Sequence, residues 1–453
     1  MSRLMSTLAT IWRLSRPYFF SEDRFAGRLL LASVIAIELS LVGLNVLFNR
    51  WNARFYNALQ DRNWDSFVTE ILYFSVLATF FIVLAVYQLY LRQWLQIRWR
   101  TWMTRQYLDH WLGNANHYRM QVLGDAADNP DQRISEDINI FVERGIYVAV
   151  KLLGAVLTLV SFVAILWGLS EDAPLQLFGR DFAIPGYLVW AALLYAVVGT
   201  VLTHVIGSAL INLNFRQQRY EADFRFNLVR TRESSEQIGL MGGERAETRR
   251  LLERFAHVIA NWRAIMVRTK RLTFLTSGYQ QAAIIFPYLV TSPAYFASHI
   301  QLGGMMQIVS AFGSVQEALS IIITIYRELA EWRAVIARLD GFDMAIQHGQ
   351  AAATAAPGIA ITARAGEPSL QIDDLLVRLP QGRPLVTVED IAIAPREHVL
   401  VTGPSGSGKS TLFRAIAGIW PFGTGSIAVP KGAKLLVLPQ RPYFPIATLA
   451  AAV

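Results

Sequence analysis

The chain contains no cysteine. Disulfides, thiolate metal sites and cysteine nucleophiles are therefore excluded, and the compartment stays open. Charge is scarce as well. Asp, Glu, Lys and Arg make up 17% of the 453 residues, against about 25% in an average soluble domain. There is no internal repeat. No separate RNA- or DNA-binding fold is recognisable, so nucleic acid is not expected as a partner. The opening stretch MSRLMSTLATIWRLSRPYFF lacks a long apolar core and a small-residue cleavage site. It reads as a retained cytoplasmic segment rather than a signal peptide.

What is present is mostly apolar. Hydrophobic residues account for 53% of the chain, with 12 Trp and a net charge of +8. Six stretches are long enough to cross a bilayer as helices of about 20 residues: 29–48, 71–91, 146–169, 186–206, 272–296 and 305–326. The fifth is expected to be broken by Pro287 and Pro293. The loops alternate in charge. Five, seven and thirteen basic residues precede spans one, three and five, whereas the other three loops hold three, one and none. The positive-inside rule then puts both termini in the cytoplasm, and Trp51, Trp64 and Trp167 fall at the outer ends of spans. The segment LRQWLQIRWRTWMTRQYLDHWL continues span two with apolar residues at helical spacing, as a cytoplasmic helical extension would. A basic and aromatic nucleic-acid surface is the lesser reading of it.

Residues 1–346 are thus expected to form a six-helix transmembrane domain with cytoplasmic helical extensions. Residues 347–368, rich in Ala and Gly, read as a linker. From 369 to 453 the pattern changes to short strands and turns, with strands expected in LQIDDLLVRLP, LVTVEDIAIA and HVLVTG.

The stretch GPSGSGKST, residues 403–411, fits the spacing of a phosphate cradle. Gly403, Gly406 and Gly408 let the backbone wrap a phosphate chain, and the loop of Pro404, Ser405 and Ser407 turns N–H groups toward it. Lys409 would reach the β- and γ-phosphates, Ser410 would ligate Mg²⁺, and Thr411 would serve the α-phosphate side. The entering HVLVT and the departing STLFRAIAGIW give the strand–loop–helix order that this spacing requires.

The run VTGPSGSGKSTLFRAIAGIWPFGTGSI, followed by LLVLPQRPYFPIATL, resembles the first part of an ABC-transporter nucleotide-binding domain. RFYNALQDRNWDSF, NPDQRISEDINIF and EADFRFNLVRTRESSEQIGLMGGE resemble the SbmA/BacA-like membrane domain of permease–ATPase fusions of the YddA type. Peroxisomal fatty-acyl half-transporters share that domain. The resemblance covers about residues 10–450. It implies an ABC exporter-like helical polytopic membrane domain followed by an α/β P-loop nucleotide-binding domain. It further implies bound ATP and Mg²⁺, a homodimer in membrane lipid and, for the bacterial branch, the inner membrane. The substrate classes it suggests are peptides, cobalamin-like compounds or fatty-acyl compounds. Lys409 and Gln440 take catalytic roles by the resemblance, and Gln440, in the Q-loop position, also contacts Mg²⁺ or the attacking water. Residues 129–137 occupy the position where the family's membrane domain meets its nucleotide-binding domain. Two departures stand out. Leu379 lies where many relatives stack an aromatic on adenine. The LSGGQ-like segment, the Asp and Glu after the next core strand and the switch His do not occur before Val453. The nucleotide-binding domain is therefore expected to be truncated. The intact parent is expected to hydrolyse ATP, and this chain alone is not.

Glu38 and Glu317 lie near the middles of spans one and six. A charge at that depth costs about 2.5–3.5 kcal/mol on insertion scales. Asn45 follows Glu38 by seven residues, on the same helical face. These three residues are candidates for a polar cavity that binds a cationic substrate or carries protons. Equally, each carboxyl could be satisfied by an Asn, Gln or Lys on a neighbouring helix. Lys151, in the first turns of span three, can snorkel to the inner interface. An ATP-driven half-transporter is the leading function. A proton-coupled SbmA/BacA-like peptide permease with a vestigial ATP domain is the alternative, with Glu38 and Glu317 as its coupling residues.

Overall fold

Apolar segments that must satisfy their own backbone N–H and C=O groups fold as helices, and helices dominate this chain. A computed structural model describes residues 2–124, 129–177, 180–182, 184–354, 358–364, 368–438 and 448. The first helices are α1 (Ser2–Phe19), α2 (Arg24–Gln60), α3 (Trp64–Leu112), α4 (Asn116–Leu123) and α5 (Pro130–Gln132). A π-helical turn, Arg133–Asp137, leads into α6 (Ile138–Asp172), and a hairpin of β1 (Leu175–Leu177) and β2 (Arg180–Phe182) follows. Next come α7 (Tyr187–Glu233), α8 (Ser235–Leu240), α9 (Glu244–Phe296), α10 (Leu302–Thr324) and α11 (Tyr326–Thr354). The last part holds β3 (Ala360–Arg364), β4 (Leu370–Arg378), β5 (Pro384–Val388), β6 (Ile391–Ile393), α12 (Lys409–Ile416) and β7 (Gly423–Pro430). The chain divides into two compact units, 30–93 with 146–329, and 1–29 with 94–145 and 330–453.

In the first of these units, four predicted spans lie on α2, α3, α6 and α7. Among the described residues these four helices are long and apolar enough to cross a membrane. The fifth and sixth predicted spans are helical too, on α9 and α10. They carry polar side chains such as Thr276, Gln280, Ser310, Ser314, Gln316 and Glu317. All of these line cavities within the unit. The expected break at Pro287 and Pro293 does not occur, because α9 runs through both. Pro293 withdraws the N–H that Leu289 O would accept, and Ser292 Oγ donates a long 3.5 Å hydrogen bond to that carbonyl. Such local re-satisfaction lets proline persist inside a membrane helix. Helices α7 and α9 are joined by a reciprocal pair. Tyr195 Oη donates to Tyr279 O at 2.6 Å, Tyr279 Oη donates to Tyr195 O at 3.1 Å, and the rings stack. Phe162, Leu166, Leu188, Ile308 and Phe312 form the buried core beside them.

In the second unit, α1 and α11 are tied by Arg13, which pairs with Asp340 and Asp343. Tyr107 of α3 stacks on Phe342 of α11. The 347–368 segment differs from the expected linker. Alanine, the best helix former, carries α11 through to Thr354, and β3 occupies residues 360–364. Gly349 is small because α4 passes closely. A Cβ there would meet Asn116 Oδ1 at 2.3 Å, while Arg119 Nε donates to Gly349 O.

The α/β part has a sheet in the order β3–β7–β4–β5, with β6 also paired to β4. LQIDDLLVRLP forms β4 as expected. LVTVEDIAIA divides into β5 and β6 at Glu389–Asp390. Among the described residues HVLVTG has no strand pairing, and Val399 and Leu400 are exposed. Ile372, Leu375, Val377, Ala415, Trp420 and Ile427 make the core between sheet and α12.

Among the described residues, Asp137 is the most buried ion-pair member of this unit, at 1% side-chain exposure. Arg133 Nη1 donates to it at 2.7 Å and Arg338 Nε at 2.8 Å. Burial alone would raise the Asp137 carboxyl, but the hydrogen bonds from Arg338 and Arg133 outweigh it and hold it below the usual carboxylate range. A lowered folded value means the stabilisation is complete above the unfolded carboxylate range, about pH 4, and fades as pH falls through the folded value. Replacing one partner of a buried pair typically costs about 3 kcal/mol. Asp137→Asn is therefore expected to lower the thermal midpoint of the purified protein at pH 7, followed by Trp fluorescence. An unchanged midpoint would show that the two arginines do not depend on this carboxylate.

Candidate functional site

Two polar sites stand out, one in each unit. The first is the loop before α12. Its glycines take conformations that L-residues rarely adopt, with φ of 151° at Gly403, 82° at Gly406 and 92° at Gly408. These values let the backbone curl before it enters the helix, with Gly408 as the N-cap. Gly408 is further constrained by space, since a Cβ there would lie 2.5 Å from Val386 and 2.8 Å from Leu385 of β5. Pro404 O accepts from Ser407 N at 3.3 Å, and Gly408 O accepts from Thr411 N and Leu412 N at 2.9 Å. Lys409 folds back over the loop. Its Nζ donates to Gly403 O at 2.7 Å and Pro404 O at 2.8 Å, with Ser407 Oγ at 3.4 Å. Ser410 is exposed and Thr411 buried. Together they make a curled turn with the Lys409 ammonium folded over it and the N-terminus of α12 at its base, an arrangement that suits an anionic phosphate chain.

The loop's neighbourhood also includes a contact that the sequence reading did not identify. Tyr118 and Val122 of α4 pack against the α/β core, and the Arg414 guanidinium of α12 lies 6.0 Å from the Tyr118 ring centroid. The signal was the i, i+4 pair in NHYRMQVL. Within residues 129–137, Asp137 is held by Arg338, and Arg100 Nη2 donates to Ser135 O at 3.2 Å. Gln440 lies outside the described residues. Leu379 sits in a tight turn closed by Leu379 N on Arg383 O at 2.8 Å.

The second site is an open cavity of about 420 Å³ lined by faces of α2, α3, α6 and α10. It brings together Glu38, Asn45 and Glu317, and adds Gln88, Lys151 and Gly154. Gln88 Nε2 donates to Glu38 Oε2 in a short hydrogen bond. Glu38 Oε1 reaches across to α6, where a Cβ on Gly154 would lie only 2.0 Å from it. Gly154 is therefore the space into which the Glu38 carboxylate fits. Glu317 lines this cavity and a second one of about 620 Å³, whose polar lining includes Thr203, Thr276, Gln280 and Gln316. Sequence periodicity paired Glu38 with Asn45. It could not identify Gln88 or Gly154, because only packing brings α3 and α6 beside α2.

The model of ABC transporter transmembrane region 2 matches residues 14–296. The chain is 32% identical to ABC transporter D family member 2, chloroplastic, of Arabidopsis thaliana, with 98% of this chain and 67% of that protein covered. It is 31% identical to the inner membrane ABC transporter ATP-binding protein YddA of Escherichia coli (strain K12), with 92% and 73% covered. It is 22% identical to the lysosomal cobalamin transporter ABCD4 of Homo sapiens, with 88% and 67% covered.

The cradle geometry makes a direct demand on Gly408. A left-handed conformation costs an L-residue about 1–2 kcal/mol, and the β-carbon adds collisions with β5. Gly408→Ala is expected to weaken binding of a nucleoside triphosphate at least about tenfold, read by equilibrium dialysis on the full protein. Wild-type affinity in that variant would rule out this loop as the phosphate site.

Proposed function

The chain belongs to the ABC transporter family of transmembrane transporters, and we propose that ATP bound with Mg²⁺ at residues 403–411 drives transport by the intact parent protein. The observation that carries this reading is the curled backbone of Gly403, Gly406 and Gly408, which leads into α12 with Lys409 over its mouth. When bound, the nucleotide supplies the free energy of phosphoryl transfer. Lys409, which in this structure donates to loop carbonyls, would hold phosphate oxygens, Ser410 would hold the metal, and Thr411 would serve the α-phosphate side. Gln440 stands as the further catalytic and metal-contacting residue by family likeness. The Tyr118–Arg414 contact gives nucleotide-dependent movement of α12 a route to α4.

In this reading α9 and α10 join α2, α3, α6 and α7 as a six-helix membrane domain, and two copies of the chain form the working transporter. Exposed side chains such as Phe80, Ile82, Val160 and Val205 suit contact with lipid. The protein is an integral membrane protein. Its proposed location is a bacterial inner membrane with both termini cytoplasmic, in keeping with the charge alternation of the loops. Peptides, cobalamin-like compounds and fatty-acyl compounds are the substrate classes to test. The Glu38–Glu317 cavity favours one second reading, the proton-coupled permease.

Reconstituted full-length protein separates the two. Vesicles are supplied with a labelled short peptide, a cobalamin and a fatty acyl-CoA in parallel. ATP-driven transport predicts flux of at least one of them that needs Mg-ATP and is lost in Lys409→Ala. Flux that persists in Lys409→Ala, follows a pH gradient and disappears in Glu38→Gln would instead establish the proton-coupled reading.

A further inference from the structure

We propose that the turn joining α1 to α2 binds the headgroup of an anionic phospholipid, with the open face of α1 lying in the same membrane surface. The inference uses only the membrane character of the chain and stands apart from the ATP-driven reading. Met5, Leu8 and Trp12 stand at helical spacing on one face of α1, and each is more than half exposed. The opposite face is packed. Leu14 and Tyr18 are buried there, and Arg13 pairs with Asp340 and Asp343. The helix is thus apolar on two sides, and the described chain covers only one of them. Phe20 and Phe25, also more than half exposed, extend the open surface across the turn into α2. A contiguous apolar surface of this kind marks an interaction site.

Charge identifies the occupant. The Arg16 and Arg28 guanidinium carbons lie 5.4 and 4.7 Å from the Phe20 ring centroid, and that of Arg24 lies 5.0 Å from the Phe25 centroid. Two like charges on one ring repel each other, and among the described residues none of the three arginines forms an ion pair. The nearby Asp23 is already engaged, accepting from Arg98 Nε at 3.0 Å and from Tyr18 Oη at 3.1 Å. Glu22 is exposed and pairs with none of them. The turn is held in this shape by its own packing. A Cβ on Gly27 would lie 2.9 Å from the Tyr18 ring, Tyr18 stacks on Trp99 of α3, and Arg28 Nε donates to Phe19 O at 2.8 Å. Guanidinium groups bind phosphate oxygens through parallel N–H bonds, and the rings beside them favour the boundary between headgroups and acyl chains. Arg24 and Arg28 open α2, and the apolar run 29–48 follows in the same helix, which is long and apolar enough to cross a membrane. The headgroup plane therefore falls at these arginines. A soluble polyanion would match the charge but leave Met5, Leu8 and Trp12 in water.

The test titrates the full-length protein in detergent with phosphatidylglycerol or with phosphatidylcholine of the same acyl chains, and counts bound lipid by native mass spectrometry. The first phosphatidylglycerol is expected to bind at least about tenfold more tightly than phosphatidylcholine. Arg16→Gln, Arg24→Gln and Arg28→Gln should each reduce that preference several fold, and the triple variant should abolish it. Arg62→Gln removes an exposed positive charge in the turn after α2 and should leave the preference unchanged. A second measurement reads the apolar face. Leu8→Cys places the only thiol of the chain there, and bimane attached to it in nanodiscs should be quenched by lipid with a doxyl group on its acyl chain. Equal binding of the two lipids, a preference that survives in the triple variant, an equal loss in Arg62→Gln, or unquenched bimane would each overturn the proposal. The last would mean that a second copy of the chain or another protein covers the stripe.

Discussion

The carboxylate of Glu38 has to be accommodated inside an apolar helical unit, and much of that unit is organised around how this is done. A half-buried charge needs hydrogen bonds and room. Gln88 supplies the hydrogen bond, and Gly154 supplies the room by carrying no side chain. Fixing Glu38 between α3 and α6 in turn sets the walls of the cavity that Asn45, Lys151 and Glu317 share. The polarity of α9 and α10 belongs to the same arrangement. Their serines, threonines and glutamines interrupt the apolar runs because they face cavities rather than lipid.

How far the amino-acid sequence revealed this can be judged residue by residue. Glu38 and Glu317 were conspicuous because a charge in an apolar run is rare, and Asn45 followed from helical spacing. Gln88 was not singled out, since one Gln in an apolar run carries little signal until a partner is known. Gly154 was invisible because its role is the absence of an atom. The backbone curl at Gly403, Gly406 and Gly408 was readable because the order of glycines dictates it, whereas the entering strand expected in HVLVTG has no ladder partner among the described residues. Long-range pairings such as Tyr195–Tyr279 and Asp137–Arg338 were beyond reach, because they join residues 84 and 201 positions apart. The 347–368 segment was misread because its alanines suit a helix as well as a linker, and the helix is settled by packing of Gly349 on α4.

The second unit shows how the cradle is connected to the helical extensions. Helix α4 meets α12 through Tyr118 and Arg414, and it meets α11 through Asn116 and Arg119. Asn116 Nδ2 donates to Ile346 O at 3.1 Å, and Arg119 is buried against Gly349. One short helix thus touches both α12 and α11. That continuity of packed side chains gives a change at residues 403–411 a physical path into the helices, provided that α4 moves as a body.

The absence of native cysteine makes the decisive measurement clean. A single reporter, Asn45→Cys, places the only thiol in the Glu38–Glu317 cavity. Its alkylation rate by a water-soluble maleimide is followed in native membranes with and without Mg-ATP. If nucleotide at the cradle governs access to the cavity, Mg-ATP should change the rate several fold, and the change should vanish when Lys409→Ala is added. An alkylation rate that is the same with and without Mg-ATP would contradict the coupling of the two sites, and with it the ATP-driven transport proposed for this chain.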